Sequence, residues 1–175
     1  MKLKNETLSK NFLIYGFGKS GISSLKYLKK KNRCFIFDDD KKKIKNTYKK
    51  FFISKSKLLN NNFDYIVISP GININRCQLS NYLKKNQKKV ITDFDIFYKF
   101  NPEVLTITIT GTNGKSTTSK LLYDILKKHH YDTRLTGNIG NPILEEKRVT
   151  KNTIFVIEAS SYQLAYSKYF KSKFS

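Results

Sequence analysis

A chain of 175 residues with 34 Lys or Arg against 13 Asp or Glu carries a formal net charge of +21, and no apolar run nears the roughly 20 residues of a membrane span. Residues 1–10 lack the apolar centre of a signal peptide, so the expected setting is cytoplasmic, with one large domain or two small ones. The lysines are spread through most of the chain beside many Asn, Ile, Tyr and Phe, residues with AT-rich codons; the charge is read as solvated surface, with neither a specific nucleic-acid partner nor a membrane partner.

In chain order, residues 12–15 predict a short apolar strand. Gly16-Phe17-Gly18-Lys19-Ser20-Gly21 follows, a G-x-G-x-x-G. A helix with Ile22, Leu25 and Leu28 comes next, then a strand over 34–37 that ends in Asp38. An acid about 20 residues past the loop is where a dinucleotide fold places its ribose-binding carboxylate. The pattern points to a nucleotide-like ligand at the end of the first strand without naming it. Asp38, Asp39 and Asp40 also read as a plain turn, the preferred reading for Asp40. Residues 41–62 are rich in Lys and Asn, compatible with a weak helix around 41–50 and a short strand at 51–53. Residues 64–69 predict a clear strand, with Ser69-Pro70-Gly71-Ile72 as a tight turn at its carboxyl end. Ligands of open parallel sheets lie outside the carboxyl ends of the strands, so this turn faces the same crevice as Gly18. Gly71 is either a ligand neighbour or only a turn residue. A helix over 76–86 and a strand over 89–92 complete a first α/β unit. Residues 93–100 form a short amphipathic link, and Asn101-Pro102 marks a boundary. Cys34 and Cys77 fall in no metal or redox spacing and read as buried or free thiols.

Residues 104–109 alternate β-branched and apolar side chains and predict a buried strand. Thr110-Gly111-Thr112-Asn113-Gly114 breaks it, and Lys115 and Ser116 open a helix with Leu121, Leu122, Ile125 and Leu126 at helical spacing. Strand, glycine-rich loop, Lys-Ser, helix is the layout of a phosphate cradle. Glycines let backbone N–H groups approach the phosphates, and the helix N-terminus adds partial positive charge. The lysine reaches the β and γ oxygens, and the serine hydroxyl can hold Mg²⁺. The Walker pattern asks for glycine at position 109, where this chain has Ile109; an ordinary strand-to-helix turn is the alternative. His129 and His130 have no partner in ligand spacing and are expected in solvent. Residues 133–136 predict a strand, followed by a second glycine-rich turn, Gly137-Asn138-Ile139-Gly140-Asn141-Pro142. Residues 153–157 predict another buried strand, delivering Glu158 ahead of Ser160, Ser161 and Gln163. A carboxylate beside a phosphate loop suits Mg²⁺, which takes oxygen ligands and keeps several waters; the alternative for Glu158 is a surface acid at a strand end.

Thr110-Gly111-Thr112-Asn113-Gly114-Lys115-Ser116-Thr117 resembles the ATP loop of the Mur ligase family, including its missing first Walker glycine. Four further stretches are similar to the D-glutamate-adding branch of that family. They are Gly16-Phe17-Gly18-Lys19-Ser20-Gly21, Ser69-Pro70-Gly71-Ile72, Thr136-Gly137-Asn138-Ile139-Gly140 and Glu158-Ala159-Ser160-Ser161-Tyr162-Gln163-Leu164. Asp93-Phe94-Asp95-Ile96-Phe97 resembles the family's linker into its ATPase domain. The resemblance covers essentially the whole chain in the expected order.

The resemblance implies an α/β fold. A Rossmann-like parallel-sheet domain, 1–100, would hold the UDP end of the substrate, and 101–175 would be the first part of a P-loop ATPase-type central domain. Gly18, Lys19 and Ser20 would contact the diphosphate, Asp38 would approach the uracil, and Gly71 would line the same groove. Asn138 and Ser160 would face the muramoyl-alanine part. Gly111, Thr112, Asn113, Gly114, Lys115, Ser116 and Thr117 would bind ATP, with Ser116 and Glu158 on Mg²⁺; Lys115 and Glu158 would be catalytic. The implied reaction joins D-glutamate to UDP-N-acetylmuramoyl-L-alanine through an acyl phosphate, in peptidoglycan precursor synthesis, by a monomer. Family members run well past Ser175, carrying second-metal ligands and a D-glutamate domain. The 175 residues are therefore expected to be a truncated portion, inactive alone. The alternatives are a non-catalytic nucleotide-binding remnant and another Mur- or folate-type amide ligase.

Overall fold

Four parallel strands organise the first half of the computed structural model, which describes residues 9–40 and 46–175. They are β1 (Asn11–Tyr15), β2 (Arg33–Phe37), β3 (Tyr65–Ile68) and β4 (Val90–Ile91), in the order β2-β1-β3-β4. β1 is central: Phe12 lies opposite both Cys34 and Tyr65, and Tyr15 opposite both Phe37 and Ile68. Phe12, Leu13, Ile14 and Tyr15 are all fully buried. A strand covered on both faces has no polar side to present, which is why its sequence is a continuous apolar run. Helix α1 (Lys19–Leu28) follows β1 and buries Leu25, Leu28, Ser23 and Ser24. Because β2 and β3 flank β1 on opposite sides, the switch point of the sheet lies at the carboxyl ends of β1 and β3.

The weakly patterned stretch departs most from expectation. Of the helix expected around 41–50, residues 41–45 lie outside the described residues, and Asn46–Phe51 is a 3-10 helix. The strand expected at 51–53 is a single bridge between Phe52 and Ile36. A short helix, α2 (Lys55–Leu59), was not foreseen; Ser54 caps it by accepting from the Lys57 N–H. The helix expected over 76–86 shrinks to α3 (Ser80–Lys85), and residues before it run as turns. Cys34 is buried and Cys77 half-buried, both as free thiols; burial pushes the Cys34 thiol up to about 12.

The chain divides into two units, Met1–Asp93 and Phe94–Ser175. In the second, helix α4 (Asp93–Phe100) is no amphipathic link: Phe94, Asp95, Ile96 and Phe97 are all buried. Phe97 packs on Phe155 and Phe94 on Phe170. One oxygen of Asp95 accepts from the N–H groups of Lys168, Tyr169 and Phe170, at 2.8, 2.7 and 3.0 Å. Buried, this charge is held by the backbone donors of a segment more than 70 residues away in sequence.

The second sheet is also parallel, with strands β5 (Leu105–Ile109), β6 (Thr133–Gly137) and β7 (Ile154–Glu158) in the order β5-β7-β6. All five residues of β7 are buried. Helix α5 (Lys115–Lys128) joins β5 to β6, and α6 (Ser161–Tyr166) follows β7. The apolar stripe expected to bury on α5 does so only in part. Leu121 is 60% and Ile125 47% exposed, Leu122 and Leu126 are half-buried, and Ser119 is buried. Along β5, the Thr108 N–H donates to the Phe174 carbonyl at 2.9 Å and the Lys173 N–H to the Thr106 carbonyl at 3.1 Å. Among the described residues no helix is long and apolar enough to cross a membrane.

Candidate functional site

In the first unit the G-x-G-x-x-G bends from β1 into α1 under β3. Gly16 has φ of +88°, and a Cβ there would lie 2.8 Å from the Ser69 Cβ. A Cβ on Gly21 would lie 2.1 Å from the Gly16 carbonyl oxygen, a backbone atom that cannot move aside. The Ser69 hydroxyl donates to that same carbonyl at 2.6 Å, so the turn after β3 is fastened directly to the glycine loop. By contrast, a Cβ on Gly18 or Gly71 would meet nothing within 4 Å. These two glycines leave open space at the mouth of the crevice. The Ser69–Ile72 turn is closed by the Ile72 N–H donating to the Ser69 carbonyl at 3.0 Å.

Asp38 is buried, and both its oxygens are engaged by backbone: Oδ2 accepts from the Phe17 N–H at 2.6 Å and Oδ1 from the Asp40 N–H at 2.8 Å. The carboxylate braces the glycine loop from beneath. Asp39 and Asp40 are exposed, and Asp39 Oδ1 accepts from the Tyr15 hydroxyl at 2.7 Å. Burial, then hydrogen bonds to Cys77 and Asp39, raise the Tyr15 phenol far above its usual range, so it stays a donor. Lys19 is exposed, and the half-buried Ser20 donates to the buried Asp93. Sequence reasoning gave Ser69, Asp39 and Asp93 no role of their own; nothing in spacing announces a hydroxyl that closes on a backbone carbonyl 53 residues earlier.

In the second unit the carboxyl ends of all three strands converge. The loop 110–114 leaves β5 through Gly111 (φ +142°) and enters α5 through Gly114 (φ +77°). No side chain caps α5, and its first turn holds no acid. Among the described residues, no capping side chain or first-turn acid therefore compensates its leading N–H groups and the positive end of its dipole. Lys115 Nζ donates to the Gly111 carbonyl at 2.6 Å and the Thr112 carbonyl at 3.2 Å. An ammonium has three donors, so one remains for an anion in the loop. Ser116 and Thr117 are exposed on the same first turn.

Glu158 ends β7 between Ile109 of β5 and Gly137 of β6. It is 4% exposed, and its Oε2 has no hydrogen-bond partner among the described residues. Around it the backbone is tight: a Cβ on Gly137 would lie 2.1 Å from the Glu158 carbonyl oxygen, and the Asn138 N–H donates to that oxygen at 2.9 Å. The Asn138 side chain is exposed. Ser160 has a structural duty. It caps α6, with its side chain accepting from the Gln163 N–H while Gln163 Oε1 accepts from the Ser160 N–H at 3.0 Å. That S-x-x-Q box was readable in the sequence. At the other end of the sheet, Asp132 accepts from the Thr153 hydroxyl at 2.7 Å and pairs with Arg134, which also reaches Glu146 at 3.2 Å.

An orphaned buried carboxylate oxygen fits a bound cation better than solvent contact or an ion pair. Among the described residues no group of three His, Cys, Asp or Glu is gathered. Such a site suits Mg²⁺, which uses one or two protein oxygens and takes the rest from phosphates and water; Glu158 and the Ser116 hydroxyl could hold it.

The architecture and site define a class: two parallel α/β units, each with a glycine-rich loop between its first strand and the following helix. The model of the Mur ligase middle domain matches residues 109–174, and the chain is similar to Mur ligases along nearly all of its length. The UDP-N-acetylmuramoylalanine–D-glutamate ligase of Caldicellulosiruptor saccharolyticus is 36% identical across 95% of this chain and 39% of its own length. That of Rickettsia bellii is 34% identical across 93% of this chain and 36% of its own. A solved UDP-N-acetylmuramate:L-alanyl-gamma-D-glutamyl-meso-diaminopimelate ligase from Neisseria meningitides matches at 14% identity and a TM-score of 0.48, over 88% of this chain and 55% of that one. The chain spans about two fifths of the length of the curated relatives it matches.

Proposed function

We propose that the second unit binds Mg²⁺·ATP and the first a uridine diphosphate sugar, together forming the nucleotide-binding part of a ligase that joins D-glutamate to UDP-N-acetylmuramoyl-L-alanine. The observation that carries this is Glu158: a buried carboxylate with an orphaned oxygen, beside an uncapped helix N-terminus and a lysine with a spare donor. Residues Gly111 to Thr117 cradle the triphosphate through backbone N–H groups. Lys115 compensates charge on the β and γ oxygens, and Glu158 with Ser116 holds the cation, which when bound neutralises the phosphate oxygens. The substrate carboxylate attacks the γ-phosphorus, giving an acyl phosphate and ADP. The amine of D-glutamate then attacks the acyl carbon, and phosphate leaves with the C–O electron pair.

Near the first crevice, Gly18, Lys19, Ser20 and Gly71 take the diphosphate, the two glycines by leaving room for it. Asp38 acts near the uracil by holding the loop in place, through the Phe17 and Asp40 N–H groups. Asn138 and Ser160 face the muramoyl-alanine end, Ser160 while capping α6. Calorimetric titration tests the reading. Mg²⁺·ATP and UDP should each saturate the chain, and UDP should bind more tightly than NAD. Tighter NAD binding, or ATP binding indifferent to Mg²⁺, would contradict it.

A further inference from the structure

The first unit sorts its acids by sheet edge and leaves its amino edge almost wholly basic, which the sequence alone did not reveal. Its four strands are parallel, so their amino ends share one edge. The connections that enter this edge carry Lys10 ahead of β1, the run Lys29-Lys30-Lys31 ahead of Arg33 in β2, and the pairs Lys84-Lys85 and Lys88-Lys89 ahead of β4. Among the described residues one acid, Asp64, enters here. It is taken up by Lys10 at 3.6 Å and by the Asn11 N–H at 2.8 Å. Asp38, Asp39, Asp40 and Asp93 all lie at the carboxyl edge, with the proposed ligand crevice.

Two further features give the basic edge a character. Leu59, 49% exposed, stands at the end of α2, just before the three asparagines that lead into β3. The neighbouring rings are already faced by the protein's own cations: Arg33 lies 5.2 Å from the Phe35 centroid, and Lys50 and Lys29 lie 5.3 and 6.0 Å from that of Phe51. Single-stranded nucleic acid is held by open aromatic faces on which bases stack, and these rings do not offer them. Lysines sharing one edge with an exposed leucine match the composition of an interfacial anchor.

We propose that the amino edge of this sheet docks on an anionic lipid bilayer, with lysines on the headgroup phosphates, Leu59 in the interface and the ligand crevice facing away. This departs from the expectation of no membrane partner. Each lysine near such a surface contributes about fivefold in partitioning, less as salt screens it. The test is co-sedimentation of the full chain with vesicles of phosphatidylcholine alone or with about 30% phosphatidylglycerol, at about 50 and 200 mM NaCl. The chain should sediment with the anionic vesicles only. Lys29→Glu/Lys30→Glu/Lys31→Glu should lower partitioning at least tenfold. Lys127→Glu/Lys128→Glu/Lys151→Glu, an equal charge change in the second unit, should lower it less than about threefold. Leu59→Ser should lower it severalfold, and thermal melts should show all variants folded. Equal losses in the two charge variants would reduce the effect to net charge and overturn the proposal. Binding to poly-uridine RNA tighter than to vesicles at the same salt would reassign the edge to nucleic acid.

Discussion

Replacing Glu158 by Gln should push stability and ligand response in opposite directions. The side chain is 4% exposed and its Oε2 has no partner. A buried carboxylate without full compensation costs several kcal/mol, whereas an unpaired amide of the same shape costs about 1–3 kcal/mol. The substitution should therefore stabilise the metal-free chain by about 1–2 kcal/mol. Taking the second unit as the melting unit, that is a rise of about 4 °C or more in Tm. The same change removes the anionic ligand of the proposed cation site. In the natural chain Mg²⁺·ATP at a hundred times Kd should add about 2.7 kcal/mol; in the variant the Mg²⁺-dependent part of that gain should disappear. Differential scanning fluorimetry with ATP, with Mg²⁺ and with both separates the terms. A variant that melts lower than the natural chain without ligand, or responds to Mg²⁺ equally, would refute the reasoning.

Lys115→Ala should weaken ATP binding about ten- to a hundredfold by calorimetry, the cost of one charge-assisted contact of roughly 1.5–3 kcal/mol. Gly21→Ala should destabilise the first unit by at least about 2 kcal/mol in urea titration, because its Cβ would sit 2.1 Å from the Gly16 carbonyl oxygen; Gly18→Ala, with open space around it, should leave stability unchanged within about 0.5 kcal/mol and act only on UDP affinity. Asp132 is held below the usual carboxylate range, first by the Thr153 hydroxyl and then by Arg134. Its contribution is present above the unfolded carboxylate value and is lost as pH falls through the lower folded one, so Asp132→Asn should flatten the acid limb of a stability–pH curve.

Strands and loops of this chain were legible because burial on two faces leaves an unambiguous apolar run, as in β1 and β7. Glycines at Gly16, Gly111 and Gly137 mark positive φ. What escaped was decided by contacts distant in sequence. Residues 93–100 looked amphipathic because Asp93, Asp95 and Lys99 interrupt their apolar residues. In the fold Asp95 faces inward, toward backbone donors at 168–170 that no local pattern reveals. The α5 stripe looked like core, since periodicity reports a face and not whether anything covers it. In the candidate sites, Gly111 to Ser116 and Glu158 were placed by motif. The engagement of Asp38 with backbone N–H groups was hidden, because a carboxylate that braces a loop is spelled like one that binds a ligand; the Ser160 cap was readable as its S-x-x-Q box.

The order β5-β7-β6 has a consequence for how the chain is made. In the first unit β1 meets β2 after one helix, so pairing can begin as soon as residue 37 clears the ribosome. In the second, β5 and β6 touch only through β7, the last of the three to be synthesised. Until residues 154–158 emerge, two strands wait with open edges and no partner. Helix α4 waits longer still for the backbone donors of residues 168–170 from which its Asp95 accepts. The second unit therefore closes in one late step dominated by distant contacts, and during translation it is the half that most needs shielding from other chains.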